Sequence, residues 1–527
     1  MSPNFARGSL NEGSYTSNSY TLRGLLSYRN HFADKHFVEV MAGSEGTKRL
    51  MYNSSTYFPT FDSQHRVVGY PELVEGTDLR NIPFQRLGST GRHESRLLSY
   101  FLTGSYSYDD RYTLSGSIRY DGSDIIGNNN QFTPLWNMSA RWNLHNEAFL
   151  KDGFFSLLSL RAGYGYTGSI DKTALPFVVM TITSNQLYDG LLVPQSFNYA
   201  NPNVKWQTKR DFNIGFETEM LNRRLQLNVN YYHNYVFDLL DTRQRPLSSG
   251  VESITQNVAS LVNRGWEIDV RGDLISTPRF SWNAGVNVAF NTNKVVKTYY
   301  KGTDALPKSF SGRETVFVEG YSSGAWFGFK FAGIDPSTGN VLVYQKDGTT
   351  FDMDQLQNAT LELSVPEPSF LGHRNPPITG GITTSLRYDN WTLNSGMEFV
   401  AGHHILSFNE YGSLGSRNRY ITDMRRWRTA GDVTDRPSIN GVSRAPYSYR
   451  YDTNLEKGDY LRCSYVSLSY QVPPTLVKKL QLQSLSVSLT ANNLFTLTRY
   501  KGIDPALMGS ISYPNTRSYM IALNLGL

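Results

Sequence analysis

Cysteine is almost absent: Cys463 is the single thiol among 527 residues. One thiol excludes an internal disulfide framework and a metal cluster built on cysteines. Long apolar runs are missing as well. No stretch reaches about 18 consecutive apolar residues, so a membrane-spanning helix is not expected. Helical periodicity is equally scarce, with no long segment repeating its apolar residues every 3.6 positions. The 51 basic and 45 acidic residues leave a formal net charge of +6. They are spread along the chain without a dense Lys/Arg block, which argues against nucleic acid as a partner. Neither a GxxxxGK[ST] phosphate loop nor an HExxH motif is present. The opening "MSPNFARGSLNEG" lacks the basic start and apolar core of a secretory signal. An exported protein would have to carry that signal outside the chain given.

Tyrosine and alternation are abundant. There are 34 Tyr and 44 Gly, and aromatics make up 13% of the chain. In "RYTLSGSIRYD" one set of alternate residues is Tyr112, Leu114, Gly116, Ile118 and Tyr120, and the other is Thr113, Ser115, Ser117 and Arg119. A strand sends these sets to opposite faces. Tyrosines bound the oily face at both ends, roughly 20 Å apart along the normal of a tilted strand, close to the height of a lipid-facing band with aromatic girdles. The pattern recurs in "RLLSYFLTGSYSY", "WNMSARWNLH", "RLQLNVNYYHNY", "FSWNAGVNVAF" and "YMIALNLGL". A mean hydropathy of −0.41 agrees with a barrel whose lumen and loops are polar.

Walking along this pattern gives about 17 strands: 20–33, 36–47, 96–108, 111–121, 133–145, 157–168, 203–218, 223–236, 261–272, 278–291, 314–319, 324–333, 379–388, 391–401, 460–472, 484–497 and 517–527. Tight turns such as "ADK", "YDDR" and "YDNW" alternate with long connections. A transmembrane barrel has that asymmetry, with short periplasmic turns and long external loops, whereas a sandwich has no reason to keep its long loops at one end. The fold class expected is therefore all-β, a transmembrane antiparallel β-barrel. Residues 1–19 are expected as an N-terminal segment on the external side, and 20–527 as a partial barrel. Single-chain bacterial barrels have even strand numbers, and an open edge in lipid leaves backbone groups unpaired. The odd count thus predicts the back portion of a larger barrel.

Several stretches resemble one family in order along the chain. "VFVEGYSSGAWFGFKFAGIDPSTGNVLVY", "LLSLRAGYGYTGSI", "RWRTAGDVTDRPSI", "GDYLRCSYVSLSYQVP" and "SVSLTANNLFTLTRYKGIDPAL" are similar to segments of SusC/RagA-type TonB-dependent outer-membrane transporters of Bacteroidetes. The resemblance implies a 22-stranded barrel with an N-terminal plug, importing oligosaccharides or peptides. It also implies a SusD-like surface lipoprotein as cap and the TonB–ExbB–ExbD system as drive. The chain departs from the pattern in showing no plug and no TonB-contacting segment, and it ends in Leu527 where such barrels commonly end in Phe. The plug and first strands are expected either on a separate chain or in a part removed by truncation.

Candidate ligand contacts lie in external loops, where aromatic faces and charges suit sugars or peptides: Tyr188, Asp189, Tyr411, position 418 (Asn418, within "SRNRY") and Tyr420. Tyr112, Tyr120, Trp142, Trp266 and Trp282 are read as membrane-girdle aromatics. Adjacent His403 and His404 read as loop histidines, since neighbouring strand residues point apart. "YDGSDIIGNNNQ" offers Asp121 and Asp124 as oxygen donors but lacks EF-hand spacing. Cys463 reads as a bystander, and no cofactor and no enzymatic activity are expected. Import across the outer membrane is the leading function. The alternatives are a passive porin, or a structural barrel subunit of a larger envelope complex, and a barrel-embedded hydrolase, for which no local signature exists.

Overall fold

In a computed structural model of the chain, the described residues are 8–62, 67–68, 88–150, 153–170, 179–188, 191–198, 201–244, 248, 253–299, 317–353, 368–406, 426–438, 451–479, 481–510 and 512–526. Fifteen strands follow one another in a single antiparallel sheet. They are Gly8–Phe32, His36–Asp62, Gly88–Tyr108, Tyr112–Ser123, Phe132–Asn143, Phe155–Ser169, Gln207–Met220, Leu225–Gln244, Ser253–Ser276, Phe280–Lys297, Ile378–Tyr388, Trp391–Ala401, Tyr460–Gln471, Ser484–Thr498 and Ser518–Gly526. A two-residue strand, Val67–Val68, adds to His36–Asp62. Each strand pairs with its neighbours in sequence, as hairpin connections require. Among the described residues, the first and last strands have a partner on one side only.

Turns at one rim are tight. Between Tyr108 and Arg111 the chain reverses through Asp109 and Asp110, both at positive φ (52° and 51°), the backbone of a primed hairpin turn. Ala33 and Asp34 do the same at 47° and 56°. Asp tolerates this conformation better than most side chains. The opposite rim carries the long connections.

Of the expected strands, 324–333 is not part of this sheet, and 314–319 lies half outside the described residues. Residues 301–316 lie outside the described residues, and 317–318 are not in a strand. The stretch 324–333 breaks into Ala325–Gly328 and Phe331–Ile334, which pair with Ser369–His373 and Val341–Tyr344. The alternation there is real, but its apolar side packs on protein. Val318, Phe327, Phe329, Val343, Phe351 and Met353 form a buried core above the sheet, joined by Tyr451 from a distant connection. Removing those two strands from the expected seventeen leaves the fifteen found.

Other strands are longer than expected. The first begins at Gly8 and not at residue 20, and His36–Asp62 and Gly88–Tyr108 stay in register well beyond 47 and 96. Above the lipid band both faces of a hairpin meet water, so nothing there enforces apolar alternation. The register continues while the sequence pattern fades.

Within the band the two faces differ sharply. Tyr112, Leu114, Ile118 and Tyr120 are each 45–51% exposed, and the same holds for the apolar faces of neighbouring strands. The buried apolar clusters lie among the connections, not between sheet layers. An exposed oily face of this extent marks contact with another apolar phase. Leu114→Arg is therefore expected to destabilise the folded protein in lipid vesicles by about 2 kcal/mol, and Ser115→Arg, on the other face, by far less. Denaturant unfolding followed by heat-modifiable gel migration would measure both, and equal losses would contradict the assignment of faces.

Candidate functional sites on the wet face and the long-loop rim

The polar face of the sheet is stitched across strands by its own side chains. Ser105 and Ser115 hydroxyls lie 2.9 Å apart, Ser107 and Thr113 hydroxyls 3.0 Å apart, and Asn137 donates to Ser117 at 2.6 Å. Arg119 donates to Asp121 at 2.5 Å and to Ser99 at 2.8 Å. Arg161 reaches across two strands to Asn228 and Asn230 at 3.0 and 2.8 Å. A cleft of about 270 Å³ opens on this face toward the long-loop rim, bordered by Glu45, Ser99, Arg119, Asp121, Ile170 and Trp206. It pairs one guanidinium and two carboxylates with an apolar wall, a lining able to hold polar ligands with some hydrocarbon surface.

Part of that wall is built by folded-in connections. Ile126, Val204 and Trp206 are buried together, with Ile170 and Leu240 against them. Asn129 and Asn130 bind Asn203 at 3.1 and 3.4 Å, and the Trp206 indole donates to the Gln131 carbonyl at 3.1 Å. The two carboxylates of "YDGSDIIGNNNQ" are taken by protein partners: Asp121 by Arg119, and Asp124 by the Arg96 amide at 2.9 Å. No group of three or more His, Cys, Asp or Glu among the described residues is placed to hold a metal ion.

At the end of Trp391–Ala401 His403 is buried and His404 half-buried, unlike a solvated loop. His403 is 2% exposed, and the Nδ1 of each ring has no hydrogen-bond partner. The backbone around them is pinned: Gly402 N–H donates to Asp459 at 2.7 Å, Gly458 N–H to the His403 carbonyl at 3.0 Å, and the Trp326 indole to the His404 carbonyl at 2.8 Å. Burial pushes both imidazoles below their ordinary value of 6.5. Asp459 opposes this in both, His404 adds to it at His403, and His373 and Lys457 add to it at His404.

A second buried pair escaped the reading of the sequence. Arg462, one of the few buried charges, binds Asp504 and donates to Thr496 at 3.0 Å, with Glu398 at 3.6 Å. Asp504 also caps the short 3₁₀ turn Pro505–Leu507, accepting from the Ala506 amide at 2.9 Å. The Asp-Pro step announces a cap, but its partner lies 42 positions away, beyond local pattern. Cys463, next to Arg462, is buried and free and sits where the pairing shifts register.

The expected girdle aromatics fall at the two rims. Tyr112 and Trp142 face each other with ring centroids 6.1 Å apart, and both donate to Glu147, at 2.5 and 3.0 Å. Trp282 lies at the same short-turn rim. Tyr120 pairs with Tyr100, and Trp266 packs at a tilt against Tyr231 with ring centroids 4.9 Å apart, near the opposite rim. All five are 37–49% exposed. Of the expected ligand contacts, Asp189, Tyr411, Asn418 and Tyr420 lie outside the described residues. Tyr188 ends the strand Val179–Tyr188, and its side chain is likewise outside them.

The family model described as "TonB dependent receptor-like, beta-barrel" matches residues 3–494. "TonB-dependent receptor P3" of Formosa agariphila is 28% identical over 477 residues, covering 82% of this chain and 46% of that protein. "TonB-dependent receptor SusC" of Bacteroides thetaiotaomicron is 24% identical over 458 residues, covering 81% and 43%. Among solved structures, that of the RagAB peptide transporter aligns with 98% of this chain and 56% of its own, with a TM-score of 0.78 at 22% identity, a likeness of fold. The chain spans about half the length of the curated relatives it matches.

Two outcomes follow from the buried groups. Between the lowered imidazole values and 6.5, the unfolded chain binds more protons than the folded one, so stability rises with pH in that window. The hydrogen-exchange protection factors of Gly402–Leu406 and Leu455–Gly458, taken relative to the intrinsic rate at each pH, are therefore expected to drop as pH falls below about 6.5, and a His403→Gln/His404→Gln variant should lose that dependence. Asp504→Ala leaves Arg462 buried with a weaker partner, at a cost of about 3 kcal/mol, read as protease cleavage within 499–510.

Proposed function

This chain belongs to the TonB dependent receptor-like β-barrel family, and from that premise we propose that it forms most of the wall of an energised outer-membrane importer. The family is one of receptors and transporters rather than enzymes, and its barrels reside in the outer membrane. The substrates proposed are nutrient oligomers, glycan or peptide, admitted from the long-loop rim. One observation carries the reading: a single sheet whose oily face is exposed while its polar face is cross-bonded and cleft-bearing. That arrangement suits a wall between lipid and an aqueous lumen.

Further strands are proposed to close the barrel, because among the described residues each edge strand has one partner only and unpaired backbone is costly in lipid. A plug held within the barrel would couple it to TonB–ExbB–ExbD, and a SusD-like lipoprotein would cap the long-loop rim. The relative named SusC and the RagAB likeness support this assembly. Tyr112, Tyr120, Trp142, Trp266 and Trp282 are proposed as girdle anchors. Tyr188, Asp189, Tyr411, Asn418 and Tyr420 are proposed as contacts for the incoming oligomer, and Glu45, Arg119 and Asp121 as a later station on the lumen wall.

The test is uptake of fluorescent oligosaccharides and peptides by cells expressing the full-length protein. Accumulation is expected to stop on deleting the gene, on removing TonB and on adding a proton uncoupler. Uptake that continues without TonB, together with steady ion conductance in planar bilayers, would establish a passive porin instead.

A further inference from the structure

The outward face above the long-loop rim carries a layer of cationic side chains. Moving up the strands past the aromatic rim, the next outward positions after Tyr100 and Leu98 are Arg96, Glu94 and Arg92. Lys48 stands opposite Arg96, and Tyr20 opposite Lys48. On other strands Arg210 follows Phe212 outward, beside Tyr166 and Tyr235. Arg264 follows Trp266, and Lys294 lies one outward position further on the adjoining strand. Two residues of tilted strand rise roughly 5 Å, so Arg210, Arg264, Lys48, Arg96 and Lys294 stand about 5–10 Å above the girdle, at the depth of lipid headgroups, while Glu94 and Arg92 reach about 15 and 20 Å above Tyr100.

Five of these cationic side chains share that layer with Asp124, and Glu94 and Arg92 stand just above it. Glu94 is contacted by Lys48, Arg92 and Arg96 at 3.0, 3.1 and 2.7 Å. Arg96 and Lys48 hold its carboxyl down to about 2, so it neutralises one of the three and leaves an excess of positive charge. Arg264 and Lys294 are exposed and have no ion pair among the described residues. At the short-turn rim Arg111 is paired with Asp109 and Glu147 at 3.1 and 3.4 Å, and Arg223 with Glu219 at 3.5 Å, whereas Arg224, Arg279, Lys478 and Lys479 have no ion pair among the described residues. On the wet face Lys209 is paired with Asp211 at 2.9 Å. The cations above the long-loop rim thus stand where the oily face ends and external headgroups begin.

We propose that Lys48, Arg96, Arg210, Arg264 and Lys294 form an outward-facing belt that binds the anionic, phosphate-bearing headgroups of external-leaflet lipids. Guanidinium forks match phosphate oxygens in pairs, and exposed basic residues beside an anionic leaflet add to binding one by one. The belt also fixes the height of the barrel: apolar side chains hold the wall in hydrocarbon, and the cations hold its upper edge to a charged layer. This goes beyond the import reading and depends only on the oily face meeting lipid, so it stands or falls separately from energised uptake.

The test uses the full-length protein in neutral detergent, offered equal amounts of phosphatidylglycerol and phosphatidylcholine, with bound lipids counted by native mass spectrometry. Phosphatidylglycerol should be retained several-fold over phosphatidylcholine. Lys48→Gln/Arg96→Gln/Arg264→Gln/Lys294→Gln should lower its retention about tenfold without changing retention of phosphatidylcholine. The charge-keeping exchange Lys48→Arg/Arg96→Lys/Arg264→Lys/Lys294→Arg should leave it high. Equal retention of the two lipids by the unaltered protein would overturn the proposal, and that measurement needs no variant. Full displacement of phosphatidylglycerol by millimolar inorganic phosphate would also overturn it, by making the belt a site for free anions.

Discussion

Every feature of this molecule depends on the strand-to-strand hydrogen-bond ladder. A chain that meets hydrocarbon on one face has no water there to satisfy its amides and carbonyls, so the sheet must satisfy them itself. Fifteen strands do so by pairing with the next in sequence, through turns as short as Asp109–Asp110. The ladder makes each face an unbroken surface, and only then does alternation in the sequence become a wall with an inside and an outside.

Chemistry on the two sides follows from that wall. Within the band the outer face needs only apolar volume and aromatic edges, so Leu114 and Ile118 can stand exposed without a packed core. The inner face meets water, and its serines, asparagines and arginines bond across strands as Arg161 does to Asn228 and Asn230. The connections behave as small folded bodies. One is centred on Phe329 and Val343, and another fits Trp206 and Ile126 against the inner wall. They give the long-loop rim its relief and leave the short-turn rim plain.

The charges sort by the same logic. Where water reaches a side chain from all directions, ion pairs are surface features of small energetic weight. Where burial removes water, as at Arg462 and Asp504, the partner becomes obligatory and the loop is fastened to the strand. At His403 and His404 burial acts in the opposite way, lowering the imidazole pKa and disfavouring the charged form.

Strand positions and direction were legible in the sequence because a period of two is imposed locally, by lipid on one side of each residue and water on the other. Tyr112, Leu114, Ile118 and Tyr120 declare that face with no knowledge of any neighbour. The same local rule misled at 324–333, where Phe327 and Phe329 alternate for a protein core, and it fell silent along 48–62, where both faces are wet. The pairing of Arg462 with Asp504, the cleft beside Trp206 and the burial of His403 were decided only in three dimensions. Each joins segments far apart in the chain, and no periodicity of one segment encodes the identity of its distant partner.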